Sequence, residues 1–584
     1  MVLTPGLRFL ARNLLFPTLL ILLARGLANA TFGSPLSIWT ALWVSAVAAV
    51  SFVVVSTAAR SAYHEVQAKS MGARLAPRVK GRWPGNVDVL RYLLATYETG
   101  YLGEGFYEIV DALGPVFNLE FLWSSHIFTV SPEHIQIILA TDFDNYVKGA
   151  RFRDAMDSVL GDGVFNSDGE MWSFHRSMTR PYFARDRVRH FEIFDRHAEK
   201  TISLIKSRMN DDHAVDFQDL ISRFTMDAAT EFLFGTCVDS LSAVLPLPYN
   251  AARPPTQQVN DFPTAFGDVM LQIAFRERVG WVWPLLEIFG DRTAKSMKTV
   301  RQFVDPIIRD AVERKKGNKE VNNVEFEGAD AGDSDTLLDE LLNSTTGSHT
   351  LVSPPIENCC TAGRETTMNC LTITVYFLAM YPKVAARLRD EIITVVGPSN
   401  QPSYDDIKEM KYLRAVFNET LRLYPPVPFN LRETVKATTW PSPDPRDKPI
   451  YIPAGVKIPY SVMIMQRRAD LWGPDANEFD PERFLDERVN KYFVANPFQF
   501  LPFNGGPRIC LGQQFAYNEM SFILIRLLQA FSSISLDVEA CPPHGRVPED
   551  WAGRAGRKGV EQFIPKAHLT MYTAGGLWVK MKEA

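Results

Sequence analysis

Residues 497–514 read PFQFLPFNGGPRICLGQQ, and Phe503, Gly506, Arg508, Cys510 and Gly512 stand at short fixed intervals around one thiol. A cysteine thiolate is a nucleophile and a soft metal ligand, whereas an isolated cysteine is more often a small buried hydrophobe. The neighbours of Cys510 set it apart from that ordinary case. Two glycines let a backbone turn sharply and come close to a flat ligand, and an arginine two residues before the thiol offers a planar cationic fork for carboxylates. The combination suits a haem that takes Cys510 as its axial ligand.

Three further groups could work beside such a centre. Ala362-Gly363-Arg364-Glu365-Thr366-Thr367 sets a carboxyl next to hydroxyls at the head of the apolar run MNCLTITVYFLAMYP. By itself a Glu-Thr pair is an exposed helix face, and its interest comes from lying upstream of the thiol stretch. Trp172 and Arg176, in a W-x-x-H-R pattern, are four apart and share a helix face; alone, that is plain packing. Glu419 and Arg422, three apart in FNETLRLYPPVP, can pair along one helix, where such pairs are usually minor surface bridges.

Taken together, these stretches resemble the haem-binding signature and its companions in the cytochrome P-450 superfamily. The resemblance implies that Cys510 gives its thiolate to iron, that Arg508 meets a haem propionate, and that Phe503 packs by the sulfur. It also implies that Trp172 and Arg176 hydrogen-bond a propionate, with Arg432 in NLRET at another propionate position. Glu365 and Thr366 become the acid and alcohol that deliver protons to bound oxygen. Glu419, Arg422 and Arg483 (in PERF) become a structural triad that holds the haem-side core without reacting. Thiolate ligation favours O–O cleavage, which is oxygen activation rather than carriage. The phrases AGRETT, LRLYPPVPFNLRET and RRADLWGPDANEFDPERF are most similar to fungal membrane-bound members related to alkane and fatty-acid hydroxylases, which implies a long apolar substrate.

The elements that must position these residues follow from pattern. A helix carrying Glu365 is predicted to run to Pro382 and to begin near Pro354, since Ser353-Pro354-Pro355 reads as an N-cap followed by first-turn prolines. That start leaves few turns before Ala362, where the resemblance implies apolar early turns that roof the substrate pocket, and Cys359 and Cys360 stand where it implies branched aliphatics. Thr345 to Cys360 reads as an altered or mis-spliced segment with a poorly formed pocket roof, the alternative being a kinked helix with unusual residues. Residues 115–130 read as a strand pair, Phe515–Phe531 as a long apolar helix, and His568–Met581 as a closing strand pair around Gly575-Gly576. Gly161-Asp162-Gly163 lacks the third glycine and the context of a nucleotide fingerprint. Leu245–Thr256 and Lys315–Asp335 are too poor in apolar residues to order themselves and read as surface insertions.

Residues 1–60 differ from the rest. No charge occurs from Gly26 to Ala59, and Leu36–Thr57 is long enough to cross a bilayer. The earlier run Asn13–Ala24, interrupted by Pro17, reads either as a signal peptide ending at Ala28-Asn29-Ala30 or as the first arm of a hairpin anchor. Arg60, Lys69, Arg74, Arg78, Lys80 and Arg82 crowd the far flank, so the positive-inside rule puts the following chain in the cytosol. The expected organisation is an anchor over residues 1–60, a basic Pro/Gly linker over 61–85, and a catalytic domain over 86–584.

Composition agrees with this organisation and excludes others. The chain has 584 residues, 46% hydrophobic and 22% charged, which is ample for a large core. A formal net charge of −5 without a basic, aromatic-interleaved stretch argues against nucleic acid as a partner. Six cysteines without a CxxC pair make neither a disulfide framework nor a zinc site. The expectation is a mainly helical protein with a smaller β region behind a membrane anchor, in the endoplasmic reticulum with the catalytic part cytosolic. It would be a haem-thiolate monooxygenase that uses O2 and hydrophobic substrate. No flavin or nicotinamide signature is present, so NADPH electrons would arrive through a separate flavoprotein reductase. The alternatives are a peroxide-using or isomerising haem enzyme of the same fold, and a non-catalytic anchored haem or lipid binder.

Overall fold

The computed structural model describes residues 3–32, 37–184, 189–251, 261–321, 336–338 and 349–584. Two helices lead, α1 (Pro5–Phe32) and α2 (Ile38–Ser70). The backbone of α1 continues through Pro17, where an interruption was predicted, because a lone proline removes one hydrogen bond while its fixed φ remains helical. Ser37 caps α2 by accepting from the Trp39 amide at 3.3 Å. Trp43–Ser70 is long and apolar enough to cross a membrane, and its most apolar stretch is not buried in protein. Trp43, Val47, Val50 and Phe52 are exposed, and a helix apolar on all sides fits lipid rather than water.

The stretch expected as a linker is largely structured. α2 carries on to Ser70, and β1 (Arg74–Leu75) pairs in parallel with Ile450 and Tyr451. Small side chains make this approach possible: Ala68 and Ala73 bury against Tyr451, and Arg74 ion-pairs with Asp447 at 3.2 Å.

Six helices frame the site: α3 (Gly169–Ala184), α4 (Phe217–Phe234), α5 (Asp261–Val279), α6 (His349–Met380), α7 (Lys411–Leu423) and α8 (Gln513–Ala530). α6 is the axis, packed on α4, α7 and α8. Leu371, Ile373, Val375, Tyr376 and Phe377 are all buried along it. A helix buried on every side must satisfy its own hydroxyls, and Thr372 and Thr374 donate back to the Met368 and Cys370 carbonyls at 2.7 and 2.8 Å. It ends where Pro382 opens the next helix. Its start corrects the sequence reading: α6 is already helical at His349, and Pro354 and Pro355 lie inside it. Two prolines cost amide donors, yet their φ suits the helix, so at least one more turn precedes Ala362 than predicted. Thr345–Ser348, and the side chains of 349–362 including Cys359, Cys360 and Ala362, lie outside the described part.

The remaining strands are β2 (Val116–Phe121), β3 (Ser124–Thr129), β4 (Tyr146–Val147), β5 (Val215–Asp216), β6 (Phe429–Thr434), β7 (Thr438–Trp440), β8 (Ile450–Ile452), β9 (Lys457–Ser461), β10 (Phe531–Leu536), β11 (Pro565–Ala567), β12 (Met571–Thr573) and β13 (Trp578–Glu583). The main sheet runs in the order β2-β3-β9-β6-β4, and β2 and β3 form the predicted antiparallel pair. The pair predicted across Gly575-Gly576 does not form. Instead β12 pairs back to β11, while β13 joins β10 and β5. Both glycines lie at positive φ, 74° and 85°, and Asp216 packs against Gly576, so the chain turns out of one sheet into another. Of the expected insertions, 245–251 form a loop and 315–321 extend the helix Ala294–Val321; 252–256 and 322–335 lie outside the described residues.

Candidate functional site

The loop before α8 is built around one tight turn. Gly506 sits at φ 63°, and a Cβ there would overlap the Leu139 carbonyl oxygen, so both conformation and space demand glycine. The Cys510 amide donates to the Phe503 carbonyl at 3.0 Å and closes the loop. Gly512 differs: its φ is −84°, and an added Cβ would rest 3.7 Å from Phe183, so within the polypeptide the need for glycine falls on Gly506. Phe503 packs with its ring 5.1 Å from Tyr517. The Cys510 thiol is accessible although protein surrounds it closely. Burial pushes its pKa up, while the Gly512 amide and the Arg176 guanidinium pull it down toward the thiolate.

Cations gather on one side of this loop. Trp172 and Arg176 project from α3 as the spacing predicts, with the Arg176 guanidinium 5.8 Å from the Trp172 ring centre. Arg176 donates to the Ile509 carbonyl at 2.9 Å, which ties α3 to the residue before the thiol. Arg508 donates to the Ser167 carbonyl at 3.0 Å and to Asp168 at 2.8 Å. Arg432, buried in β6, donates to the Leu431 carbonyl at 2.7 Å. The Nε groups of Arg432 and Arg508 are buried and have no partner among the described residues. Burial, then the Arg432 charge, brings the pKa of Arg508 down to about 10.

Lys148 completes the cluster, and the sequence reading missed it. Its ammonium is pushed well below the ordinary lysine range by burial and then by Arg432 and Arg508. No spacing ties Lys148 to the thiol loop. It arrives because β4 pairs with β6, Tyr146 opposite Thr434 and Val147 opposite Glu433, which brings the next residue beside Arg432. Asp168 offsets the group in part, accepting from the Lys148 and Gly149 amides at 2.8 and 3.0 Å as well as from Arg508. Glu277, the other nearby carboxylate, is paired with Lys457. Three guanidinium groups and one ammonium therefore gather about the thiol loop, two of them with a buried Nε that has no partner among the described residues, which is the donor set that a haem with two carboxylate arms requires.

On α6 the acid and alcohol residues are held from two sides. Arg364 donates to Ser222 Oγ of α4 from Nε and Nη2, at 3.0 and 2.9 Å. A Cβ at Gly363 would lie 3.5 Å from Ala229 Cβ, so this glycine is covered by α4. Glu365 is buried, and its Oε2 accepts from Thr570 Oγ1 at 2.6 Å. Thr366 is half-buried beside it. Glu519 of α8, another residue the sequence reading missed, is fully buried and pushed well above the carboxylate range by burial, against a hydrogen bond from Thr367.

The predicted triad assembles as a fully buried set. Arg422 donates to Glu419 from Nε and Nη2 at 2.7 and 2.8 Å, and Arg483 Nε reaches the same carboxylate at 3.5 Å. Such charges survive burial only when every donor is used. Arg422 also donates to the carbonyls of Gln466, Ala476 and Glu478, and Arg483 to Trp472 and Asp475. Gln466 links the triad to the thiol loop: its Nε2 donates to the Arg422 carbonyl at 2.9 Å, and its Oε1 accepts from the Leu501 amide at 2.8 Å.

The family model described as Cytochrome P450 matches residues 84–545. The chain is 34% identical over 505 residues to "Cytochrome P450 monooxygenase g430" of a Fusarium species, across 85% of this chain and 86% of that one. It is 37% identical over 429 residues to "Cytochrome P450 52A3-A" of Candida maltosa, across 72% and 77%. It is 32% identical over 488 residues to "Cytochrome P450 52-E3" of Starmerella bombicola, across 80% and 88%.

Proposed function

Since the chain belongs to the cytochrome P-450 family and is a haem-thiolate monooxygenase, we propose that it hydroxylates a long apolar substrate, a fatty acid or an alkane, with NADPH electrons delivered by a flavoprotein reductase. The observation that carries the site assignment is the convergence of Lys148, Arg176, Arg432 and Arg508 beside the accessible Cys510. Cys510 would hold the iron and the four cations the propionates, with Trp172 keeping Arg508 and Arg176 in place through its ring.

A haem bound through Cys510 supplies O2 activation, with one oxygen atom entering a C–H bond and the other leaving as water. The chain's own work is positioning and proton supply. Burial raises the pKa of the Cys510 thiol, and the Gly512 amide and Arg176 oppose that rise. Glu365 is the acid placed to pass a proton on, and Thr366, one residue on, orders its delivery. The Glu419 triad holds the base of the thiol loop through Gln466 and Leu501.

The apolar helix α2 anchors the enzyme in a membrane. The basic flank from Arg60 to Arg82 supports a cytosolic catalytic part at the endoplasmic reticulum. α1 also docks on the catalytic part: Thr4 Oγ1 donates to the Ile288 carbonyl at 2.6 Å, and Phe9 lies 6.1 Å from Trp281. Around this contact Trp281, Leu285, Leu286 and Phe289 are exposed, which supports a second contact with lipid.

The carbon monoxide difference spectrum of the reduced protein, followed by turnover of palmitate and hexadecane with NADPH and reductase, tests the reading. A thiolate spectrum with reductase-dependent hydroxylation supports it. Product formed with peroxide alone would favour the reductase-independent enzyme, and haem binding without any turnover the non-catalytic binder.

A further inference from the structure

The turn between β11 and β12 meets α6 at one polar point. Thr570 Oγ1 lies 2.6 Å from Glu365 Oε2, and His568 Nδ1 stands 3.6 Å from the same oxygen and 3.3 Å from the threonine hydroxyl. All three side chains are buried or nearly so. The geometry fixes who donates. The Thr570 amide donates to His568 Nδ1 at 3.2 Å, so that nitrogen carries a lone pair and the imidazole is neutral. Burial of His568 holds its pKa below the ordinary histidine value, in keeping with this. The hydrogen on the carboxylate contact is therefore the threonine's own. Glu365 Oε1 makes no hydrogen bond among the described residues.

We infer that Thr570 is a positioning residue for Glu365, with His568 behind it, so that the β11–β12 turn as well as α6 decides where the acid points. The inference rests on Glu365 acting as the proton donor proposed above. One carboxyl oxygen is held by the turn and the other is left to carry the proton. A glutamate has three rotatable side-chain bonds, and burial alone leaves several orientations open. A single short hydrogen bond to a carboxylate is strong enough to select one.

The turn is itself well fixed. His568 and Thr570 are bonded through the His568 amide and the Thr570 carbonyl at 3.0 Å. Arg278 of α5 donates to the Ala567 and His568 carbonyls at 2.7 and 3.1 Å. The His568 ring stacks on Tyr572 at 5.1 Å, and Leu569, between the two polar residues, packs on the apolar cluster that contains Phe152, Met226 and Phe266. Thr570 is thus presented to Glu365 by a structure anchored on other elements.

The test uses the haem-loaded full chain with reductase and palmitate, comparing Thr570→Val, Thr570→Ser and Glu365→Gln. Thr570→Val keeps the shape and removes the hydroxyl; it should lower product per NADPH about ten-fold and raise peroxide, a part of the 10²–10⁴ that a positioned acid supplies. Thr570→Ser should recover most of the loss, and palmitate affinity and the reduced carbon monoxide spectrum should stay unchanged in all three. Independently of turnover, amide hydrogen exchange across 565–573 should quicken in Thr570→Val and in Glu365→Ala, which removes the acceptor, and not in Thr570→Ser. If Glu365→Gln uncouples the enzyme while Thr570→Val does not, the positioning role is overturned and the acid stands. If Glu365→Gln leaves coupling intact, the reading of the acid falls and the inference with it. Should Thr570→Val fail to hold haem, unchanged exchange in Glu365→Ala would overturn the tether.

Discussion

Arg508 lies over Trp172, its guanidinium carbon 4.7 Å from the ring centre, and holds Asp168 at 2.8 Å. The pair joins the thiol loop to α3, and the aromatic face lets a buried cation stay charged without a full complement of acceptors. Among the described residues the Nε of Arg508 remains unpartnered even so, and the same is true of Arg432. Positive charge in excess of its counterions is costly in a protein interior, which is why this cluster reads as the seat of an anionic cofactor edge.

Lys148→Met should weaken haem retention without disturbing the fold. Removing one cation from a partly buried carboxylate contact costs on the order of a charged hydrogen bond, so haem loss to a scavenging apoprotein should quicken roughly ten-fold. The lost positive charge also disfavours the reduced iron's extra electron, so a redox titration should give a more negative potential.

Cys510→Ala should abolish the thiolate spectrum, because the other described cysteines lack its setting. Burial pushes Cys237 and Cys541 up to about 11 and Cys370 to about 12; it raises Cys510 too, but among the described cysteines Cys510 alone has both a backbone amide and an arginine opposing that rise. Replacing Cys237, Cys370 or Cys541 by serine or alanine should leave the reduced carbon monoxide spectrum where it was.

Glu419→Ala should prevent the chain from folding around haem. The carboxylate serves Arg422 twice, Arg483 once and the Asp480 amide at 3.0 Å, and its loss leaves Arg422 buried without a counterion and Arg483 with Asp475 alone at 2.9 Å, a penalty of about 3–5 kcal/mol. Soluble expression and haem content of the variant measure it; a haem-loaded protein of ordinary stability would contradict the assignment.

The thiol loop, α3, α6 and α7 were legible in sequence because each holds its functional residues within one turn of chain, where spacing alone sets a shared face or a tight loop. The residues that escaped reading reach the site through long-range pairing. Lys148 depends on β4 meeting β6, and Thr570 on a turn that approaches α6 from 205 residues away. The early start of α6 escaped for a local reason: proline's fixed φ both opens helices and fits inside them, so Pro354-Pro355 alone cannot tell the two apart. The strand pair drawn around Gly575-Gly576 failed because a glycine turn marks a reversal without saying which sheet receives the next strand.

Deleting residues 1–60 should release the enzyme from membranes only in part. The cut removes α1 and most of α2, but it also uncovers the segment that α1 packs against at Trp281 and Ile288. Trp281, Leu285, Leu286 and Phe289 then face water together, and the basic residues Lys69 to Arg82 add attraction to anionic lipid. Flotation with anionic vesicles should show residual binding that falls with salt, and serine at these four apolar positions should abolish it. Complete release at low salt by the deletion alone would remove the second contact.

Asp216 should make stability fall as pH rises toward neutrality. This carboxylate caps α4, accepting from the Gln218, Asp219 and Leu577 amides at 3.1, 3.3 and 3.0 Å. Burial, and then repulsion from Asp219, raises its pKa to about 7 from 3.8. A raised folded-state pKa means that the native protein binds a proton which the unfolded chain has released. The stabilising contribution is therefore complete below the unfolded value and is lost as pH climbs through the folded one. Asp216→Asn keeps an oxygen for the cap and cannot ionise. Between pH 5 and 8, thermal unfolding of the detergent-solubilised haem protein should show the wild type losing stability relative to Asp216→Asn, with the gap opening as Asp216 ionises; curves that run parallel across the range would show that Asp216 does not titrate there.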